Sequence, residues 1–140
     1  MLNFETANGP TTAYIVRPDD GGEKTIILIQ EWWGVNDHIR DIAGRYAAEG
    51  FTAIAPDLYR GKVATNADDA SKMMHALAIE DGIDTIRNTV KTASEELGIS
   101  HFGITGYCMG GTFALRAACE IEGFSAAAPF YGDIPDEDVL

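Results

Sequence analysis

A cysteine framed by two glycines is the residue of this sequence best suited to chemistry. The pentapeptide at 106–110 reads Gly-Tyr-Cys-Met-Gly, with Cys108 at its centre. An apolar run precedes it and a helical pattern follows, which is the context in which a Gly-x-nucleophile-x-Gly sequence forms a nucleophile elbow. The glycines are needed because a Cβ would collide in so tight a turn. A helix N-terminus also favours thiolate over thiol, so Cys108 is predicted to be a nucleophile.

The other cysteine, Cys119, lacks this frame. It lies in the helical pattern beyond the pentapeptide, one turn after Leu115, and no glycine flanks it. Free cysteines are most often buried packing residues, so we expect Cys119 to pack rather than to react. Two cysteines without paired spacing indicate neither a disulfide scaffold nor a zinc site. We therefore expect no metal and no cofactor.

The elements that would position Cys108 alternate along the chain. Short apolar runs alternate with longer stretches of helical period, a pattern typical of an α/β fold with a mostly parallel sheet flanked by helices. We predict strands at 12–17, 25–30, 51–55, 101–105 and 126–130, and helices at 39–47, 66–77, 83–97 and 110–121. Asn36 or Asp37 is available as the first N-cap and Gly50 as the stop of that helix.

The pairing of the first strands can also be predicted. A turn at 18–22 separates the first two strands, so we expect them to form an antiparallel hairpin that opens the sheet. A helix separates the second strand from the third, so these two should lie parallel in a βαβ unit.

Composition and charge exclude several classes of protein. With 140 residues, 46% of them hydrophobic, and no linker or repeat, residues 1–140 are expected to form a single globular domain. The 22 acidic residues outnumber the 10 basic ones, and a net charge of −12 argues against nucleic acid and anionic membranes as partners. No stretch approaches the ~18 apolar residues of a membrane span and no leader pattern is visible, so we expect a cytoplasmic protein.

Three motifs, in order, resemble signatures of the dienelactone hydrolase family. They read QEWWGVN at 30–36, APDLY at 55–59 and GYCMGG at 106–111. The resemblance covers nearly the whole chain, and it implies an α/β-hydrolase fold with a Cys-Asp-His triad. It also implies hydrolysis of small esters or lactones by thiolate attack and an acyl-enzyme, so the expected partner is a small-molecule ester or lactone.

The resemblance assigns roles to residues around Cys108. Glu31 would contact the resting thiol and swing away when substrate binds, leaving the thiolate to pair with the imidazole. A carboxylate after a central strand also lies where open α/β sheets place their sites. The backbone N–H groups of Trp32 and Met109 would form the oxyanion hole for the tetrahedral intermediate.

Three further side chains on the same rim are candidates for substrate binding. Trp33 could line an apolar pocket or could be ordinary packing, and the two interpretations stay open. Tyr59 and Arg60 lie in the loop after the strand at 51–55. Arg60 could hold a substrate carboxylate in a bidentate contact, with a solvated loop arginine as the alternative.

The histidines depart from the family pattern. The family's acid and histidine follow later strands, whereas His38, His75 and His101 all precede Cys108 and none takes the family position. We therefore expect an incomplete domain, truncated after the strand that follows the elbow helix. Either the chain is shortened, or another polypeptide supplies the rest. The alternative to an active hydrolase is a non-catalytic or weakly active half-fold.

The last predicted strand should lie at the edge of such a sheet. Residues 126–130 carry no charge, and the helix that would cover their face is missing. We expect a homo-oligomer that buries the exposed edge between Phe124 and Tyr131. Pro129 removes one backbone donor, so both strand pairing and face packing stay open.

Overall fold

The structure, a computed structural model, describes residues 1–140 as a mixed six-stranded sheet flanked by four helices. The strands are β1 (Leu2–Thr6), β2 (Gly9–Val16), β3 (Thr25–Ile29), β4 (Thr52–Pro56), β5 (Phe102–Tyr107) and β6 (Phe124–Phe130). The helices are α1 (Asp37–Ala48), α2 (Ala67–Ala76), α3 (Ile79–Leu97) and α4 (Met109–Glu120). The predicted α/β class is confirmed.

The sheet order is β1-β2-β4-β3-β5-β6. The four strands from β4 to β6 in this order run parallel to one another, while β2 is antiparallel to both of its neighbours. The parallel pairing of β3 with β4 confirms the predicted βαβ unit. The C-terminal ends of β3, β4 and β5 therefore meet at one edge, where open α/β sheets carry their sites.

The predicted opening hairpin is wrong. β2 pairs with β1, a strand that the sequence analysis missed, and with β4, so β3 lies two places away from β2. β3 is buried along almost its whole length, as expected of a central parallel strand, whereas burial along β2 is mixed. The connection at 17–24 has to cross only β4, and strands lie about 5 Å apart, so eight residues suffice.

The first helix follows its sequence signals closely. The Asn36 side chain accepts a hydrogen bond from the Ile39 N–H at 3.1 Å, and Gly50, with a φ of 94°, follows the end of α1. The buried face of α1 packs against β3 and β4 through Ile39, Ala43 and Leu28. On the opposite face of the sheet, α3 and α4 cover the larger core.

β6 forms the outer edge of the sheet beside β5, as predicted. From Ser125 to Phe130 every residue of this strand is exposed. α4 packs on only one side of it. None of the four helices combines the length and the apolar character that crossing a bilayer requires.

Candidate active site

Cys108 occupies a strained turn between β5 and α4. Its φ is 57° and its ψ is −120°, and its side chain is exposed. A positive φ is rare for residues other than glycine, so the surrounding structure has to hold it in place. The Cys108 N–H donates to the Phe130 carbonyl at 3.0 Å, and the Cys108 carbonyl accepts from Gly111 and Thr112. These bonds hold the thiol above the sheet edge.

Close contacts with neighbouring backbone atoms require glycine at both elbow positions, Gly106 and Gly110. A Cβ at Gly106 would collide with the carbonyl of Gly110. A Cβ at Gly110 would collide with the carbonyl oxygens of Ile29 and Gln30 at the end of β3. Neither neighbour can move away cheaply, because both are backbone atoms of packed elements. The local geometry therefore agrees with the glycine frame predicted for a nucleophile elbow.

Glu31 lies at the same sheet edge as Cys108. Ile29 is in register with Gly106, so Glu31 and Cys108 each stand two residues beyond a paired position. The Glu31 carboxylate lies 3.6 Å from the His38 Nε2, while Cys108 makes no side-chain hydrogen bond. The structure therefore brings Glu31 to the elbow but directs its carboxylate to His38 rather than to the thiol.

The two proposed oxyanion donors are both free in the structure. Met109 is the first residue of α4, so its N–H has no acceptor within the helix. Trp32 lies in the turn after Glu31, which is closed by a hydrogen bond from the Gly34 N–H to the Glu31 carbonyl. An N–H without a protein partner beside the nucleophile is the arrangement that an oxyanion hole requires.

Gln30 connects the segments of the site and was missed by the sequence analysis. Its side chain is fully buried, and its Oε1 accepts from the Leu58 N–H at 2.9 Å. Its Nε2 lies 3.4 Å from the Glu31 carbonyl, to which it donates. The amide thus joins the loop after β3 to the loop after β4. The available signal was the single polar residue that ends an apolar strand.

Trp33 and Tyr59 differ in how far they can reach a substrate. Trp33 is partly exposed and stacks edge-to-face on Trp32, with ring centroids 5.7 Å apart. Tyr59 is buried, and its hydroxyl lies 3.5 Å from the Met109 sulfur. Burial raises the pKa of Tyr59 to about 12, so it stays protonated near neutral pH. Tyr59 therefore packs against the first residue of α4 from the protein interior. Of the two side chains, Trp33 is the more accessible to a substrate.

Arg60 is engaged in an ion pair rather than held free on the rim. Its two terminal nitrogens contact the two carboxylate oxygens of Asp81 at 2.9 and 2.7 Å, and Nη2 also donates to Thr6 Oγ1. The hydrogen bonds from Arg60 hold the pKa of Asp81 below its usual value. The fork that a substrate carboxylate would need is thus occupied, and Arg60 ties the β1–β2 turn to α3.

Replacing Arg60 by Met is expected to destabilise the fold by about 1–3 kcal/mol, because it leaves the largely buried Asp81 carboxylate without its partner. Chemical unfolding at pH 7 measures this loss. Arg45→Met, which breaks a mostly exposed pair with Asp41, is the control and should cost at most about 1 kcal/mol. Equal losses in the two variants would contradict a structural role for Arg60.

The same pair has a predictable pH dependence. A carboxyl whose folded pKa is lowered contributes stability above its unfolded pKa of ~3.9, and this contribution is lost as pH falls through the folded value. The difference in stability between wild type and Arg60→Met should therefore shrink below about pH 4.

A cavity of about 410 Å³ lies between α1 and the end of β5. Glu31 and His38 line it together with Tyr46, Tyr107 and Tyr131. The hydroxyls of Tyr46 and Tyr107 are 3.1 Å apart. Burial, assisted by this hydrogen bond, raises the pKa of Tyr107 to about 12, so the Tyr107 hydroxyl is neutral near pH 7. The lining also includes a second carboxylate, Glu49, and the guanidinium of Arg45. This cavity was not predicted from the sequence.

The remaining histidines lie away from Cys108. The ring of His75 contacts the Ser71 carbonyl on α2, and His101 precedes β5 at the end of the strand opposite the elbow. No group of three or more His, Cys, Asp or Glu side chains is placed to hold a metal ion. Cys119 is exposed, so the expectation that it packs is wrong.

Comparison with known proteins identifies relatives of this chain. A model of the dienelactone hydrolase family matches residues 11–140. "Protein usf" of Aquifex pyrophilus is 37% identical over 94% of the chain, and a "Putative carboxymethylenebutenolidase" of Aquifex aeolicus is 34% identical over the same share. Each match covers 61% of the relative, so the chain spans about three fifths of their length.

Solved structures show the same fold. A "Putative Dienelactone Hydrolase" of Klebsiella pneumoniae superposes with a TM-score of 0.79 at 32% identity, over 91% of this chain and 56% of its own. A dienelactone hydrolase-like promiscuous phosphotriesterase from metagenomic libraries superposes with a TM-score of 0.85 over 99% of this chain and 61% of its own. At 18% identity, the latter match concerns the fold alone.

Proposed function

This chain belongs to the dienelactone hydrolase family, and on that premise we propose that Cys108 is the nucleophile of a hydrolase for small esters or lactones. The observation that carries the proposal is the elbow itself. A non-glycine residue with positive φ, framed by glycines that cannot accept a Cβ, presents an exposed thiol at a helix N-terminus. A positive φ at Cys108 costs conformational free energy, and a residue that served only for packing would not need this conformation.

The proposed reaction has two steps. The Cys108 thiolate attacks the carbonyl carbon of the ester, a sulfur–carbon bond forms, and the carbonyl oxygen takes the negative charge. Collapse of this intermediate breaks the carbon–oxygen bond, and the released alkoxide takes a proton from water. Water then attacks the thioester and releases the acid and the thiol. For a lactone, the alcohol and the acid stay in one product.

The other site residues support these steps in different ways. The N–H groups of Met109 and Trp32 would stabilise the oxyanion, since both are free and belong to segments that Gln30 and the elbow hold together. The Glu31 carboxylate would change the electrostatic potential at the Cys108 thiol. The Trp33 side chain would contact the acyl group of the substrate. Arg60 and Tyr59 are proposed as supporting residues rather than substrate ligands, because of the contacts described above.

A second candidate function is favoured by the positions of the histidines. Cys108 makes no hydrogen bond with any histidine, and His38 is paired with Glu31. Without a base beside the thioester, deacylation would be slow even where acylation proceeds. The alternative is therefore a half-fold that is acylated once and turns over weakly or not at all.

A burst assay with 4-nitrophenyl acetate separates the two candidates. The half-fold predicts a rapid release of about one equivalent of nitrophenol per chain, and the hydrolase predicts release that continues beyond one equivalent. A fast linear phase after the burst would support a complete hydrolase, and a flat phase would support the half-fold. At pH 8 a thiol of ordinary pKa is partly ionised, so a release of nitrophenol no faster than without protein would contradict Cys108 as a nucleophile.

Three broader features remain part of the proposal. Residues 1–140 would belong to one domain, located in a cytoplasm that keeps both exposed thiols reduced. The strongly acidic surface disfavours nucleic acid as a partner. The chain would form a homo-oligomer through the edge between Phe124 and Tyr131.

A further inference from the structure

Gln30 is buried where the three segments that build the candidate site meet. It follows the last residue of β3 and is 0% exposed. Its Oε1 accepts from the Leu58 N–H, which belongs to the loop after β4. Its backbone carbonyl oxygen lies beside Gly110, where an added Cβ would collide with it. This one residue therefore contacts the loop after β4 and the first turn of α4 as well as its own loop.

The two partners of the Gln30 amide determine which of its atoms donates and which accepts. The Leu58 N–H can only donate and the Glu31 carbonyl can only accept, so Oε1 faces Leu58 and Nε2 faces Glu31. Because the side chain is excluded from solvent, water does not compete for either bond. A side chain of this length that carries both a donor and an acceptor is therefore required at position 30.

The Glu31 carbonyl and the Trp32 N–H belong to the same peptide group. No peptide bond of the chain is cis, so this carbonyl and this N–H point in opposite directions. The carbonyl accepts from Gln30 Nε2 at 3.4 Å and from the Gly34 N–H at 3.2 Å. These two bonds fix the rotation of the peptide plane, and with it the direction of the Trp32 N–H. They also polarise the peptide group, which strengthens its N–H as a donor.

We propose that Gln30 is a positioning residue for the oxyanion hole. By holding the Glu31 carbonyl, its side chain directs the Trp32 N–H toward the oxygen that becomes charged in the tetrahedral intermediate. This inference rests on the proposed role of Cys108 as the nucleophile. Gln30 is buried and touches no substrate, so it acts only through the peptide group that it holds. A donor fixed in advance needs no reorganisation when the charge develops, so loss of its support slows acylation.

Two reactions of the same thiol separate this role from a general effect on Cys108. In acylation by 4-nitrophenyl acetate, the carbonyl oxygen of the ester takes up negative charge that the oxyanion hole stabilises. In alkylation by iodoacetamide, a sulfur–carbon bond forms, the carbon–iodine bond breaks and iodide leaves, so no oxyanion develops. Both reactions consume the thiolate, and Cys119→Ala serves as the parent chain so that Cys108 is its only thiol. The ratio of the two rate constants therefore reports the oxyanion hole and not the ionisation of Cys108.

Gln30→Met in this parent is expected to lower the ratio of acylation to alkylation about tenfold or more, toward the roughly 10²–10³-fold cost of removing an oxyanion donor. Methionine has a similar length but can neither accept from Leu58 nor donate to Glu31. Thr52→Val is the matched control. It removes the hydrogen bond from the fully buried Thr52 Oγ1 to the Gly22 carbonyl, at the opposite end of β4. Its ratio should equal that of the parent, and circular dichroism verifies that both variants are folded.

Gln30→Glu gives a second test that does not depend on the folding of the methionine variant. Its carboxyl group keeps an acceptor for Leu58 but can donate to the Glu31 carbonyl only as the neutral acid. Buried carboxyl groups titrate as high as about pH 8–9, so we expect a ratio well below that of the parent at about pH 9.5.

The possible results distinguish this inference from the proposed function. A folded Gln30→Met variant with the ratio of the parent would overturn the inference, and so would an equal loss in Thr52→Val. A Gln30→Glu variant that matches the parent at about pH 9.5 would also overturn it. If Cys108 of the parent chain reacts with neither reagent, the proposed function itself fails.

Discussion

Replacing Cys108 by Ala is expected to abolish the nitrophenol burst, lowering its amplitude from about one equivalent per chain to background. No other thiol has the geometry to take over. Cys108 alone combines the strained elbow, the helix N-terminus and two free N–H donors at Met109 and Trp32. The variant should fold normally, because the Cys108 side chain is exposed and makes no hydrogen bond.

Cys119→Ala is the matched control for this experiment. Both thiols are exposed, so accessibility alone would make them react equally. If the elbow activates Cys108, Cys119→Ala keeps the full burst. In denaturant, where the elbow is lost, the two single variants should react with a thiol reagent at the same rate. A burst that falls by half in each variant under native conditions would contradict the assignment.

The second large effect is expected at Gly110. Gly110→Ala should destabilise the chain by more than about 3 kcal/mol or prevent folding, because the added Cβ meets the carbonyl oxygens of Ile29 and Gln30. β3 is the central strand, so relief of this collision would require α4 to move away from the core of the sheet. Valine at the same position should be worse, since its branches need still more space.

Gly44→Ala offers the same chemical change without the collision. Gly44 lies within α1, and a Cβ there would meet no atom within 4 Å. Alanine also has the higher helix propensity, so this variant should gain roughly 0.5–1 kcal/mol. Thermal and urea unfolding of both variants gives the comparison. A soluble Gly110→Ala variant with the stability of wild type would show that the elbow packs less tightly than the structure describes.

Local signals in the sequence predicted the elements well and their long-range order less well. The Asn36 cap and Gly50 fixed the ends of α1 to within a residue or two, because capping is decided within one helical turn. The strand that pairs with β2 could not be predicted from such local signals. Whether β2 pairs with β3 or with β4 depends on which strand occupies the centre of the sheet, and that is decided by residues far apart in sequence.

The residues of the candidate site differ in the same way, because local features were predictable and contacts between distant segments were not. The elbow was predictable because Gly106, Cys108 and Gly110 act within one turn of chain. The contact between Arg60 and Asp81 was not, because it joins residues separated by a loop and a helix. Gln30 and the tyrosine-lined cavity were missed for a similar reason. Their significance comes from what lies opposite them in the fold.

Peptide mapping of the acylated chain is the most direct test of Cys108 as the nucleophile. The folded chain is mixed with 4-nitrophenyl acetate, quenched in acid during the burst, digested, and analysed by mass spectrometry for the acetylated peptide. We expect the acetyl group on Cys108 as a thioester, and no comparable signal on Cys119. Acetylation of Cys119 or of surface lysines with Cys108 unmodified would contradict the account.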